Sequence, residues 1–117
     1  MRAMSNCLFC KIVSGEIPSS VIYQDDQCVG FLDVNPQAPF HALFVPRKHI
    51  TTINDATAAD TSLLGHLMLK ATEAAKAKGL GDNGFRLVLN CNRDGGQSVF
   101  HIHLHVLGGR PLGWPPG

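Results

Sequence analysis

Val99-Phe100-His101-Ile102-His103-Leu104-His105-Val106-Leu107 alternates histidine with aliphatic residues from position 101 onward. Successive side chains of a strand point to opposite faces, so the alternation predicts a strand over residues 99–107. Ile102, Leu104 and Val106 share one face, and His101, His103 and His105 share the other.

Three imidazoles in register admit three readings. Each could be satisfied separately on a half-exposed sheet face. All three could converge on one zinc, leaving the fourth position for a hydrolytic water. Same-face Cα atoms two residues apart are separated by about 6.6 Å, however, and the outer pair by about 13 Å, so convergence needs a bulge or bend. The third reading is nucleophilic. An imidazole with an ordinary pKa of about 6.5 is largely neutral at pH 7 and can attack phosphorus without a strong base, and the central His103 suits that role. The attack gives a phosphorylated imidazole that water then opens, splitting one displacement into two.

The residues just before the strand, Cys91-Asn92-Arg93-Asp94-Gly95-Gly96-Gln97-Ser98, form a loop richer in polar residues and glycine than a hairpin needs. The backbone amides of Gly96, Gln97 and Ser98 could line an anion-binding concavity, and the Ser98 hydroxyl could protonate a departing amine.

Farther out, Leu63, Leu64, Leu67, Met68, Ala71 and Ala75 fall on one side of a helix expected over residues 58–78, which Gly79 can close in the left-handed conformation. Strands are expected at residues 21–23, 28–32, 42–45 and 85–90, separated by turn formers such as Asp25-Asp26 and Asn35-Pro36-Gln37. With a short helix near residues 8–13, strands and helices segregate rather than alternate, which predicts an α+β fold on a five-stranded antiparallel sheet.

A chain of 117 residues supports one core, because at this length only about two thirds of the unfolded surface is buried. The domain is expected over residues 5–117. The net charge of +1 comes from scattered Lys and Arg, so no basic stripe points to nucleic acid, and a small ligand is the expected partner. Met1 to Asn6 lacks the apolar core of a signal peptide and no run is long enough to span a membrane, so a cytoplasmic, membrane-free protein is expected. In a reducing compartment Cys7-x-x-Cys10 reads either as half a metal site or as two reduced thiols, while Cys28 and Cys91 receive no role.

The run from Asp94 to Arg110 resembles the signature of the histidine triad superfamily, in its histidine triad nucleotide-binding (HINT) branch. Asn35-Pro36-Gln37-Ala38-Pro39 with His41, Val45-Pro46-Arg47-Lys48-His49-Ile50, Ser62-Leu63-Leu64-Gly65-His66-Leu67-Met68 and Trp114-Pro115-Pro116-Gly117 extend the likeness over nearly the whole chain from Cys7. The resemblance implies a five-stranded sheet with one long and one short helix, a ten-stranded sheet across a homodimer, and residues 110–117 as an extended tail at the dimer and active site. It implies hydrolysis of purine nucleoside 5′-phosphoramidates of the AMP or GMP type, through a nucleotidyl-histidine intermediate and with no cofactor needed for catalysis.

His103 then matches the nucleophile, His105 a phosphate contact, Ser98 a contact to the leaving nitrogen, and His41 a residue orienting the nucleophile's ring. Asp33 would hold the ribose hydroxyls. Leu8, Phe9, Ile12, Phe31, Val34 and Leu43 would wall the base. Asn90 and the Gly96, Gln97 and Ser98 stretch would hold phosphate oxygens. Cys7 and Cys10 would be joined by His49 and His101 in a closed structural zinc site. Rival readings are a dinucleoside polyphosphate hydrolase with the same nucleophile, and a nucleotide-binding or protein-interaction module whose hydrolysis is incidental.

Overall fold

A computed structural model describes residues 6–117; residues 1–5, where the expected domain begins and on which the signal-peptide reading partly rests, lie outside the described residues. Its helices are α1 (Leu8–Val13), α2 (Thr61–Ala77) and a single turn, α3 (Asn92–Gly95). Its strands are β1 (Val21–Gln24), β2 (Cys28–Leu32), β3 (Phe40–Pro46), β4 (Phe85–Val88) and β5 (Leu104–Gly108). They form one antiparallel sheet in the order β1-β2-β3-β5-β4, the α+β architecture expected.

Each face of the sheet has its own core. On one, Ala42, Phe44, Ile102, Leu104 and Val106 pack with Leu67, Ala71 and Ala75 of α2. On the other, Val29, Phe31, Leu43 and Val45 pack with Phe9 of α1. The small side chains of Ala71 and Ala75 let α2 lie close to the strands. Met68, placed on the packed side by the sequence, is 53% exposed, because one residue past Leu67 is a rotation of about 100° on a helix. The chain enters α2 through a turn, Ala58–Asp60, whose capping box pairs Thr57 with Asp60, and leaves it at Gly79, whose φ is +78° as the C′ position requires.

The histidine strand is shorter than expected. β5 begins at Leu104, not residue 99, and the physical reason lies across the ladder. Leu104 pairs with Phe44, and continuing that register would set Ile102 opposite Pro46, which has no amide hydrogen to donate. Ladder hydrogen bonding therefore stops, and Pro46 O instead lies 2.8 Å from His101 Nε2. The Ile102 N–H finds Ile50 O at 2.8 Å. β4 likewise ends at Val88, short of the expected residue 90.

The β1 to β2 turn is held by Asp25. Its carboxylate accepts from Gln27 N and Cys28 N at 2.8 Å and from Tyr23 OH at 2.6 Å, and lies 2.6 Å from His66 Nε2 of α2. Burial alone would raise the carboxyl pKa, but these hydrogen bonds outweigh it and hold the group well below the usual carboxylate range. Among the described residues, no helix is long and apolar enough to cross a membrane.

Candidate active site

Because residues 99–103 leave the sheet, the three histidines divide their work. His101 turns toward the amino-terminal cysteines, while His103 and His105 remain neighbours with ring centroids 5.0 Å apart. Both line an open cavity of about 300 Å³ between α1 and the sheet. The same cavity is lined by Leu8, Phe9, Ile12, Phe31, Val34 and Leu43, and by Asp33 and Ser98 at its polar end. Ile17, Pro18, Ser19, Leu32 and Val99 complete the lining. The sequence did not single out these five, since such residues are as common in turns and cores as in pockets.

Neighbouring groups fix the tautomer of every ring here. The Gln37 N–H donates to His41 Nδ1 at 3.0 Å, so the His41 proton sits on Nε2. That N–H faces His105 Nδ1 at 2.9 Å, with Asp33 Oδ2 at 3.4 Å. His105 must therefore accept at Nδ1 and carry its own proton on Nε2. His103 donates from Nδ1 to the His101 carbonyl at 2.9 Å, which leaves its Nε2 lone pair free. His41 was expected to orient the nucleophile's ring; it reaches His105 instead, and the group that orients His103 is the main-chain oxygen of His101. No sequence signal marks a backbone acceptor.

All these rings are held neutral. Burial lowers the pKa of His103 and of His41, and it pushes His105 down to about 4, with the nearby His103 and His41 rings acting in the same direction. A neutral His103 with a free ring nitrogen can act as a nucleophile, and a neutral His105 can donate one hydrogen bond to an anionic oxygen.

The loop before the strand departs from the expected anion cradle. The Gly96 N–H donates to Arg93 O and the Gln97 N–H to Asn92 O, both at 3.0 Å, with Gly96 in the left-handed conformation at φ +82°. These bonds close the C-terminus of α3, so the Gly96 and Gln97 amides are committed inside the loop. The Gln97 side chain is committed too, accepting from Asn92 N and donating to Thr51 O and Val99 O. Of the three expected anion-binding residues only Ser98 lines the cavity. Asn90 lies in an adjoining cavity of about 480 Å³, which touches His105, Arg86, Arg110 and the carboxy-terminal segment. That segment is tied down where Arg86 Nη2 donates to Gly113 O at 2.6 Å, yet Trp114 is 82% exposed.

A separate cluster joins Cys7, Cys10, His49 and His101, whose ligand atoms all lie within 4.8 Å of one another. Cys7 Sγ is 3.3 Å from His101 Nδ1, Cys10 Sγ is 3.3 Å from His49 Nδ1 and 3.5 Å from His101 Nδ1, and the two Nδ1 atoms are 3.2 Å apart. Tetrahedral zinc with Zn–S near 2.3 Å and Zn–N near 2.05 Å spaces its donors by about 3.3 Å between nitrogens, about 3.6 Å between nitrogen and sulfur and about 3.8 Å between sulfurs. The donor set therefore fits a tetrahedral ion. His101 Nε2–H donates to Pro46 O, which turns the Nδ1 lone pair toward the sulfurs. A single site holding all three strand histidines is not formed among the described residues.

Known proteins resemble this chain in sequence and in fold. The HIT domain model matches residues 14–112. The purine nucleoside phosphoramidase of Escherichia coli (strain K12) is 48% identical over 106 residues, covering 91% of this chain and 89% of that protein. Among solved structures, a HIT family hydrolase from Legionella pneumophila Philadelphia 1 superposes with a TM-score of 0.94 at 54% identity, covering 96% of this chain and 100% of that one. A Zn-bound histidine triad family protein from Mycobacterium smegmatis gives a TM-score of 0.78 at 32% identity, covering 90% and 76%. With the family model spanning most of its length and the histidine run in place, this chain belongs to the HIT domain family and stands among its hydrolases.

Proposed function

We propose that the chain is a purine nucleoside phosphoramidase that hydrolyses the P–N bond of adenosine or guanosine 5′-monophosphoramidates. The observation that carries this reading is the fixed pair of tautomers at the cavity: His103 with Nε2 free and His105 with Nε2 protonated. The kinship with the Escherichia coli phosphoramidase supports the choice of bond.

In this reading the purine sits among Leu8, Phe9, Ile12, Phe31, Val34 and Leu43, an apolar slot suited to a flat base, and Asp33 accepts from the ribose hydroxyls. His103 Nε2 attacks phosphorus; a P–N(imidazole) bond forms, the P–N bond to the amine breaks, and the amine takes a proton from solvent relayed through the Ser98 hydroxyl, a proton returned to solvent when water attacks in the second step. His105 Nε2–H holds a phosphate oxygen through both steps, with Asn90 at the neighbouring edge. Water then attacks the nucleotidyl-imidazole, giving the nucleoside monophosphate and freeing His103.

The Cys7, Cys10, His49 and His101 set is assigned a zinc ion as a closed tetrahedral site that ties the amino-terminal segment to the sheet. Two copies are expected to join along β4, an edge of the sheet, covering Met68 and Leu69 of α2, which are 53% and 65% exposed. Residues 110–117, with the exposed Trp114, are then placed to meet the partner near its active site.

The test compares an adenosine phosphoramidate with diadenosine tetraphosphate on the wild type and on His103→Ala. Phosphoramidate cleavage by the wild type that vanishes in the variant is expected. Faster cleavage of the tetraphosphate would instead assign the polyphosphate reaction. Nucleotide binding without appreciable turnover of either would make the chain a binding module.

A further inference from the structure

The cysteine and histidine cluster shares its elements with the wall and the nucleophile of the nucleotide cavity. Cys7 and Cys10 bracket the first turn of α1, where the Cys10 N–H donates to Cys7 Sγ at 3.3 Å. Between them lie Leu8 and Phe9, both lining the cavity. The Phe9 ring stands edge-to-face against His103, with centroids 5.0 Å apart, and against Phe31 at 5.6 Å. α1 has six residues, too few to persist through its own backbone hydrogen bonds, so its position depends on what ties it down. At the other end of the cluster, His101 offers Nδ1 to the sulfurs while its carbonyl accepts from His103 Nδ1 at 2.9 Å. One residue thus belongs to both sites.

Building on the phosphoramidase reading, we propose that the Cys7, Cys10, His49 and His101 cluster, with zinc bound, positions the nucleotide site: it fixes α1 as the purine wall and holds the His101 carbonyl where it presents His103 with Nε2 free. Cys7, Cys10, His49 and His101 are positioning residues, acting through Phe9 and His103 and not on the substrate. Coupling of this kind is reciprocal, so whatever factor zinc adds to nucleotide affinity, the nucleotide adds to zinc affinity.

The experiment measures AMP affinity by calorimetry on zinc-loaded and chelator-stripped wild type, zinc affinity with and without saturating AMP, and the His103 tautomer by ¹⁵N imidazole NMR. Stripping is expected to weaken AMP binding about tenfold or more and to mix the His103 tautomers, and AMP is expected to tighten zinc by the same factor. Equal AMP affinity in stripped and loaded protein, with the His103 tautomer unchanged, overturns the proposal. If stripping unfolds the chain, zinc-loaded His49→Ala and His49→Cys carry the test, because His49 lines no part of the nucleotide cavity. His49→Cys, which keeps four ligands, is expected to bind AMP like the wild type, and His49→Ala about tenfold less tightly; equal affinity in the two overturns the coupling. Failure of the loaded wild type to bind AMP at all would count against the phosphoramidase reading, and the tautomer comparison alone would then decide the coupling.

Discussion

Each histidine of the triad region has one proton whose place is dictated by a neighbour. The His101 carbonyl keeps the His103 proton on Nδ1, and the Gln37 amide acts through His41 to keep the His105 proton on Nε2. His103→Ala is expected to lose phosphoramidate turnover, since no other imidazole at the cavity presents a free Nε2. His41→Leu is expected to lower kcat by about ten- to hundredfold with little change in AMP affinity, because it removes the partner that fixes the His105 tautomer. Steady-state kinetics alongside calorimetric AMP binding checks both, and a His41→Leu defect seen mainly in AMP affinity would contradict the relay. The shared face of His101, His103 and His105 and the glycine-rich loop beside Ser98 were legible in the sequence because a period of two and a polar, glycine-rich stretch are chemical signals, whereas His41 entered only through the family resemblance. The main-chain atoms of Gln37 and His101 were not, since every residue carries the same carbonyl and amide.

Among the elements, β3 is the hinge of the whole arrangement. It is buried along its full length, pairs with β2 and β5, and carries His41 toward the site while Phe44 fills the opposite core. Phe44 occupies the space left by Gly30: a Cβ built there would lie 2.5 Å from the ring Cζ. Gly30→Ala is therefore expected to destabilise the fold by about 1–3 kcal/mol through overpacking. Urea unfolding measures the loss, and an unchanged midpoint would show that the ring moves aside freely. The strands and α2 could be read from periodicity to within a few residues. The late start of β5 could not, because it arises from Pro46, a residue distant in sequence that comes opposite only once the register is set. The commitment of the Gly96 and Gln97 amides has a similar origin: Gly95-Gly96 does mark a turn, but that turn closes a helical turn and uses these two amides to do so.

For the molecule as a whole, buried neutral rings make stability depend on pH. The His105 pKa is about 4 in the fold, against about 6.5 for an unperturbed imidazole, and that of His41 is shifted the same way. Between those values the unfolded chain binds more protons than the folded one, so stability falls as pH drops from about 6.5 toward 4. The carboxylates of Asp25 and Asp60 shift downward and weaken the fold only at lower pH, as it falls through and below the ordinary carboxylate range. The urea midpoint is expected to be lower at pH 5 than at pH 7.5, and His105→Asn to reduce that difference; an equal drop in both proteins would remove His105 as a cause. Leu69→Glu, on the exposed side of α2, is expected to shift the chain from dimer to monomer by light scattering, and a dimer that persists would move the interface away from α2.

In the proposed reaction His103 and the nucleotide are joined by a covalent bond. The most direct measurement is to quench the enzyme during turnover of an adenosine phosphoramidate, digest it under conditions that preserve phosphorus–nitrogen bonds, and map the adduct by tandem mass spectrometry. AMP attached to the ring of His103 is the predicted result. AMP attached to any other side chain, or no adduct while a burst of free amine is released, would contradict it.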